Sequence, residues 1–160
     1  MLATRAMIIQ PYFHLGLSVA SVDEAMADLA STGVQWRDVL DYPLCVFHGG
    51  RTTDVRVRSV YSSGPSPAIE LFTAGKGTPL DPLMEGSRFH HIGVWTDAFS
   101  ADVADLQARG WELAATVADD RGRPSRFALH RTPFGFYLEV VDPRWAGRLL
   151  GDLLPEELRK

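Results

Sequence analysis

The chain has 160 residues, of which 46% are hydrophobic and 22% are charged. This mixture is typical of a folded globular protein and excludes collagen-like, coiled-coil and disordered classes. Sixteen Lys and Arg residues against twenty Asp and Glu residues give a net charge of −4, and the basic residues form no large cluster. Nucleic acid and anionic membranes are therefore not expected partners. At this length a sufficient core can form, so we expect one domain over residues 1–160.

The cellular location is predicted from the single cysteine and from the first residues. Cys45 cannot form an intramolecular disulfide, and we expect it to be a small buried residue. Residues 1–10 hold too short an apolar stretch for a signal peptide or a membrane span. We therefore expect a cytoplasmic protein without a membrane partner.

The two halves of the chain resemble each other at a spacing of 77 residues (91 − 14 = 77). Residues 13–17 (Phe-His-Leu-Gly-Leu) align with residues 90–94 (His-His-Ile-Gly-Val), and Ala-Asp-Leu occurs at both 27–29 and 104–106. The same spacing relates Gly33 to Gly110. A repeat of this kind predicts two copies of one structural module.

The first copy begins with a strand in which His14, Gly16 and Ser18 share one face. A helix follows, with Ser21 as its expected N-cap, and the predicted helix ends at Gly33. Apolar runs at 42–48, 55–62 and 68–73 predict three further strands, with 49–54 as a hairpin connection.

The second copy repeats this order. Its first strand places His91, Gly93 and Trp95 on one face, and its helix is expected to start near Ser100 and end at Gly110. Strands are predicted at 111–117, 125–131 and 136–141, with 119–124 as a loop.

Both halves therefore have the pattern βαβββ, which makes the protein α+β. The predicted modules cover residues 10–73 and 89–143, joined by a linker at 74–88. Residues 144–160 form an appended amphipathic segment with one Trp and several Leu residues.

Four polar residues occupy matched places in the two modules. Glu70 and Glu139 lie within otherwise apolar strands, and His14 and His91 lie in the first strand of each module. Because a buried, unpaired carboxylate is costly, these groups need compensation. Any one of them alone could equally be a hydrogen-bonded core histidine or a solvent-facing glutamate. Together they make a set of two imidazoles and two carboxylates, which suits one divalent ion of Zn, Ni, Co, Mn or Fe.

Residues on the same strand faces as these ligands are predicted to line a substrate pocket. The alternation of side chains along each strand places these residues on the ligand face: Ser59, Tyr61, Phe72, Trp95, Phe127, Leu129 and Tyr137. Such a pocket is aromatic and largely apolar, so we expect a bulky hydrophobic small molecule as the substrate. His48, His90 and His130 fall outside the set and are expected to have surface or hydrogen-bonding roles.

Two stretches, residues 89–95 and residues 132–143, resemble the vicinal oxygen chelate superfamily. That superfamily includes glyoxalase I, methylmalonyl-CoA epimerase, extradiol dioxygenases and bleomycin-resistance proteins, and the resemblance covers residues 10–143. It implies paired βαβββ modules in an open, cup-shaped mixed sheet around a divalent metal. Carried over position by position, the implied metal ligands are His14, Glu70, His91 and Glu139.

The resemblance favours a metal-dependent isomerase, epimerase or lyase that transfers a proton next to a carbonyl or thioester. We expect Glu139 to be the base and Glu70 to act on the opposite face of the substrate. A non-catalytic, antibiotic-type binding protein is the main alternative, followed by an extradiol dioxygenase-like oxygenase. Two departures bear on this choice: the glyoxalase I helix sequence is replaced at 25–33, and epimerases often have Gln where this chain has Glu70.

A homodimer is also expected. Trp145 and the Leu-rich segment after it could provide an apolar patch for a second copy.

Overall fold

Each half of the chain contains one strand, one helix and three further strands, in the predicted order. The computed structural model describes residues 12–81 and 89–156, without the side chains of Arg148 and Leu149. The first half contains strand β1 (His14–Ser18), helix α1 (Val22–Leu29) and strands β2 (Leu40–His48), β3 (Arg51–Tyr61) and β4 (Ala68–Thr73). The second half contains β5 (Phe89–Trp95), α2 (Phe99–Ala108), β6 (Leu113–Ala118), β7 (Pro124–Arg131) and β8 (Tyr137–Val141), and helix α3 (Pro143–Leu150) follows. Single 3₁₀ turns lie at Ala30–Thr32 and Gly151–Leu153.

The eight described strands form one mixed, strongly curved sheet, as the family resemblance implied. Their order is β1-β4-β3-β2-β6-β7-β8-β5, and the ring is closed. Within each half the first and last strands pair in parallel, β1 with β4 and β5 with β8. The halves meet through the antiparallel pair β1–β5 on one side and through one residue pair, Phe47 and Thr116, on the other. The junction between β2 and β6 therefore has the fewest paired residues in the ring.

The two faces of the sheet have different partners. On the outer face α1 covers a cluster that includes Val60 and Leu71, and α2 covers one that includes Ala128 and Val140. The largest buried cluster lies inside the ring. Residues that alternate with the outer ones therefore point into the interior.

The helix ends were predicted in part. The Ser21 hydroxyl accepts a hydrogen bond from the backbone N–H of Glu24, and Gly33 and Gly110 have positive φ of 79° and 84°. Ser100 is not a cap, because α2 begins at Phe99 and Ala98 occupies the N-cap position. The helix entry is instead held by Thr96, whose hydroxyl accepts from the backbone N–H of Ala98.

Two other expectations for the first module are wrong. The hairpin between β2 and β3 turns at Gly49 and Gly50 alone, since both take positive φ, and the two strands pair as far as His48 and Arg51. Cys45 is exposed, because inward-facing neighbours on both sides force its side chain to the outer face of β2.

The C-terminal segment covers one end of the ring. Ala146, Leu150, Leu153 and Leu154 belong to the interior cluster, and Trp145 packs against it. The indole N–H of Trp95 donates to the backbone oxygen of Leu153 at 3.2 Å. The apolar side chains that were predicted to form a dimer interface are thus packed within the molecule. The homodimer stays a prediction, and this surface no longer supports it. Leu158 lies outside the described residues.

None of the helices in the described ranges is long and apolar enough to cross a lipid bilayer.

Candidate metal centre

The structure brings His14, Glu70, His91 and Glu139 together inside the ring. His14 Nε2 lies 3.2 Å from Oε2 of Glu70 and 3.2 Å from Oε2 of Glu139. His91 Nε2 lies 3.1 Å and 3.4 Å from the same two atoms. The two Nε2 atoms are 2.7 Å apart. All four functional groups therefore surround one point.

Glycines in the two central strands make this convergence possible. In the antiparallel pair β1–β5, His14 lies opposite Gly93 and His91 lies opposite Gly16. A Cβ atom on Gly93 would come within 1.9 Å of Cε1 of His14, and one on Gly16 within 2.1 Å of Cε1 of His91. Each module's glycine thus provides the space for the imidazole of the other module.

The glutamates reach the same point from the flanking strands. Glu70 lies beside Gly16 in the parallel pair β1–β4, and Glu139 lies beside Gly93 in the parallel pair β5–β8. Since glycine has no side chain, each carboxylate can extend across it toward the histidines. The repeat seen in the sequence therefore becomes a local pseudo-twofold arrangement.

Within the cluster, His14 and Glu70 stabilise each other's charged forms. Burial by itself lowers the pKa of His14, but hydrogen bonds to Glu139 and Glu70 outweigh burial and raise it to about 9. Burial disfavours the Glu70 carboxylate, yet the hydrogen bond from His14, followed by the contact with the His91 ring, holds its pKa well below its usual range. Without a metal, His14 is therefore a cation at neutral pH and Glu70 an anion.

Glu70 has a further partner on the neighbouring strand. The Tyr61 hydroxyl donates to Oε1 of Glu70 at 2.7 Å. Burial, followed by the negative charge of Glu70, raises the pKa of Tyr61 well above its usual value, so the phenol stays protonated and remains a donor.

The four residues fit a divalent metal ion. His14, Glu70 and His91 each offer one ligand atom, and these atoms lie within 4.8 Å of one another. The closely spaced Nε2 atoms need a shared proton between them, since two facing lone pairs would repel. A divalent cation can take the place of that proton and is balanced by the two carboxylates. The set is also buried, with His14, Glu70 and His91 exposed by 1%, 6% and 3%.

A cavity of about 620 Å³, including its mouth, opens onto this cluster. Of the predicted lining residues, Tyr61, Phe72 and Phe127 lie on its wall, whereas Ser59, Trp95, Leu129 and Tyr137 are buried elsewhere in the core. No Lys or Arg is among the described lining residues. The remaining wall residues are mainly apolar and include Phe13, Leu40, Leu44, Val57, Leu80, Val141, Trp145, Ala146 and Leu150.

Tyr42 is a wall residue that the sequence analysis missed. The signal was present, because alternation along β2 places it on the face of Leu44 and Val46. Burial and the charges of Glu70 and Glu139 raise its pKa, which keeps the hydroxyl protonated beside the carboxylates.

His90 also departs from expectation. The pairing of β1 with β5 skips it, since Gly16 pairs with His91 and Leu17 with Phe89. A bulge of this kind turns an extra side chain inward, and His90 is only 2% exposed. Burial lowers the pKa of His90 to about 4, so its ring is neutral. Of the other two histidines, His48 contacts the Thr53 hydroxyl and His130 is buried in β7.

Comparison with known proteins identifies the family. A sequence profile of the glyoxalase/bleomycin resistance protein/dioxygenase superfamily matches residues 13–128, and the chain belongs to this superfamily. No curated protein matches the sequence at a significant level.

Solved structures share the fold at low sequence identity. A hypothetical protein from Bacillus halodurans C-125 is 18% identical with a TM-score of 0.59, covering 82% of this chain and 93% of its own. Methylmalonyl-CoA epimerase from Mycobacterium tuberculosis is 19% identical with a TM-score of 0.58, covering 89% and 93%. The Streptomyces coelicolor epimerase, in complex with 2-nitronate-propionyl-CoA, is 18% identical with a TM-score of 0.56, covering 84% and 94%. At these identities the likeness concerns the fold alone.

Proposed function

We propose that this protein is a metal-dependent isomerase, epimerase or lyase that moves a proton at the carbon next to a carbonyl or thioester. The observation that carries the proposal is the meeting of His14, Glu70, His91 and Glu139 at one buried point on the wall of an apolar cavity. The four residues would hold one divalent ion. Such an ion supplies Lewis-acid polarisation of a substrate oxygen, which acidifies the neighbouring C–H.

The two carboxylates differ in a way that assigns their roles. Glu70 is anchored by the Tyr61 hydroxyl. Within the described residues, the polar side-chain contacts of Glu139 are with the two histidines, and its side chain is 16% exposed against 8% for Glu70. A carboxylate that is less restrained and closer to the cavity can move onto a substrate carbon. Glu139 is therefore the base, and Glu70 stays near the centre as a ligand on the other side.

The surrounding wall defines the substrate class. Aromatic and aliphatic side chains dominate it, with no Lys or Arg among the described lining residues. Away from the four polar groups, a carboxylate or phosphate group inside this cavity would lack a charged partner. The substrate portion bound there is therefore neutral and hydrophobic, with a carbonyl oxygen directed at the four polar groups.

Two measurements test the proposal in sequence. Metal analysis of the purified protein should find about one divalent ion per chain. NMR in D₂O should then follow hydrogen–deuterium exchange in neutral, hydrophobic ketones and acyl thioesters with a C–H next to the carbonyl. In that exchange the Glu139 carboxylate takes H⁺ from carbon, and solvent returns D⁺ to the same carbon.

The decisive variant is Glu139→Gln. The amide oxygen can still be a ligand but has no basic lone pair of similar strength, so the exchange rate should fall by about 10²–10⁴ while the metal stays bound. Glu112→Gln is the matched control, because the Glu112 side chain is 70% exposed and pairs with Arg131 on the surface. Exchange at the parent rate in Glu139→Gln would remove Glu139 as the base. A parent protein without metal and without exchange would favour the binding-protein alternative.

A further inference from the structure

His90 and the linker before β5 form a chain of hydrogen bonds that ends at the candidate metal centre. His90 Nε2 lies 2.7 Å from the backbone oxygen of Pro79. His90 Nδ1 lies 2.8 Å from Nδ1 of His91. The Nε2 atom of His91, on the far side of its ring, faces His14, Glu70 and Glu139.

The direction of each hydrogen bond in this chain is determined by its first member. A carbonyl oxygen only accepts, so His90 Nε2 must carry a proton and donate it to Pro79. A neutral imidazole has one N–H, which leaves a lone pair on His90 Nδ1. His91 Nδ1 must then be the donor, and the lone pair of a neutral His91 lies on Nε2, the atom that faces the centre.

We propose that His90 is a positioning residue that fixes His91 in the tautomer with a free Nε2 lone pair and so prepares it to bind a metal. The inference rests on the proposed metal centre. Metal-ligating histidines commonly donate their other N–H to a second group, which sets the tautomer and the orientation of the ring. Here that group is another histidine, itself oriented by a backbone carbonyl.

The packing around His90 supports an orienting role. Its ring lies between Phe72, at 5.0 Å between centroids, and Tyr137, at 4.9 Å. These aromatic neighbours restrict rotation of the ring. The bulge in β5 allows two consecutive residues, His90 and His91, to point inward. The chain of hydrogen bonds therefore depends on a local break in strand alternation.

The two histidines of the centre are not equivalent. His14 has no comparable chain, because its Nδ1 atom is buried without a hydrogen-bond partner among the described residues. The proton shared between the two Nε2 atoms therefore belongs to His14, and His91 is the ready acceptor. This asymmetry lies within a site whose backbone is pseudo-symmetric.

The proposed tautomer of His91 is tested first in the metal-free parent protein by ¹⁵N NMR of histidine side chains. We expect His91 to be protonated at Nδ1 and unprotonated at Nε2. A His91 protonated at Nε2 would overturn the proposal, whether or not the protein binds a metal. Absence of metal binding by the parent, with the expected tautomer present, would instead count against the proposed function alone.

Two variants then connect the tautomer to affinity. His90→Phe keeps an aromatic ring but removes both nitrogens, and we expect Zn²⁺ affinity, measured by competition with a chromophoric chelator, to fall by about 10–100-fold. His90→Asn places an oxygen acceptor where Nδ1 stood and should restore most of the affinity and the His91 tautomer. His130→Phe is the control, since His130 is equally buried but neither of its ring nitrogens has a hydrogen-bond partner among the described residues. Equal Zn²⁺ affinity in His90→Phe and His130→Phe would refute the role. Should His90→Phe not fold, the parent spectrum and His90→Asn still decide the question.

Discussion

At the scale of single residues, Gly16 and Gly93 shape the site as much as the residues with polar side chains do. The sequence shows them two positions after a histidine in each module, on the same strand face. The structure shows which imidazole ring occupies the space beside each glycine, because each glycine faces the histidine of the other module. The pattern His-x-Gly is therefore a condition for pairing the two modules around one centre.

Gly93→Ala should test this condition. The new Cβ would lie 1.9 Å from Cε1 of His14, and pairing with β1 and β8 restrains the strand, so the His14 ring must move. We expect Zn²⁺ affinity to fall at least roughly tenfold in a chelator competition titration. Gly151→Ala is the matched control, because no atom lies within 4 Å of its added Cβ and its φ is −56°. Parent-like affinity in a folded Gly93→Ala protein would contradict the geometry.

The raised pKa of His14 predicts how the stability of the metal-free protein depends on pH. Its pKa rises from about 6.5 in the unfolded chain to about 9 in the folded one. The folded state therefore binds the proton more tightly, and this stabilisation is complete below pH 6.5 and lost as the pH rises through about 9. The expected loss is about 3 kcal/mol.

The measurement is urea unfolding in the presence of a chelator at several pH values between 6 and 9.5. His14→Gln removes the titrating group and should flatten the profile over this interval. A parent protein whose free energy of unfolding does not change between pH 6.5 and 9 would rule out the ion pairs as described.

At the scale of secondary structure, the two helices show how similar sequences are capped differently. In the first copy the Ser21 side chain caps the helix, as the sequence predicted, whereas in the second Ala98 occupies the N-cap position and the Thr96 hydroxyl accepts from its N–H. Thr96 immediately follows β5 and contacts Asp102 in the first turn of α2. Its place after the strand lets it support the helix entry, and Ser100 already lies inside the helix.

Alanine substitutions at Ser21 and Ser100 test which of the two serines caps a helix. Ser21→Ala removes the acceptor for the Glu24 N–H and should lower the free energy of unfolding by about 1 kcal/mol. Ser100→Ala leaves both the cap and its hydrogen bonds unchanged and should have an effect near zero, as its exposed position suggests. Chemical denaturation of both variants gives the comparison, and equal losses would contradict the assigned caps.

At the scale of the whole molecule, the candidate centre joins the two modules. His14 and Glu70 come from the first and His91 and Glu139 from the second, while the opposite side of the ring is closed by one residue pair. A ligand shared by both halves should therefore stabilise the complete barrel. The segment from α3 onward adds a cover, since its apolar side chains line the cavity.

Metal addition and removal measure this coupling. Zn²⁺ or Co²⁺ at about 100 times its dissociation constant should stabilise the folded protein by about 2.7 kcal/mol, and a chelator should reverse the change. Thermal unfolding with and without the ion provides the readout. A His14→Gln, His91→Gln double variant should lose the response, and an unchanged response would place metal binding elsewhere.

The sequence by itself determined the two βαβββ modules and the four residues that converge between them. Both follow from local periodicity and from a repeat, which are visible along the chain. Tertiary structure decided the rest: the opposition of each histidine to the other module's glycine, the bulge that brings His90 inward, and the use of the C-terminal segment as a cover. Each of these depends on which distant strands pair and in what register. Alternation within one strand carries no information about that pairing, and a one-residue bulge reverses the face that alternation predicts.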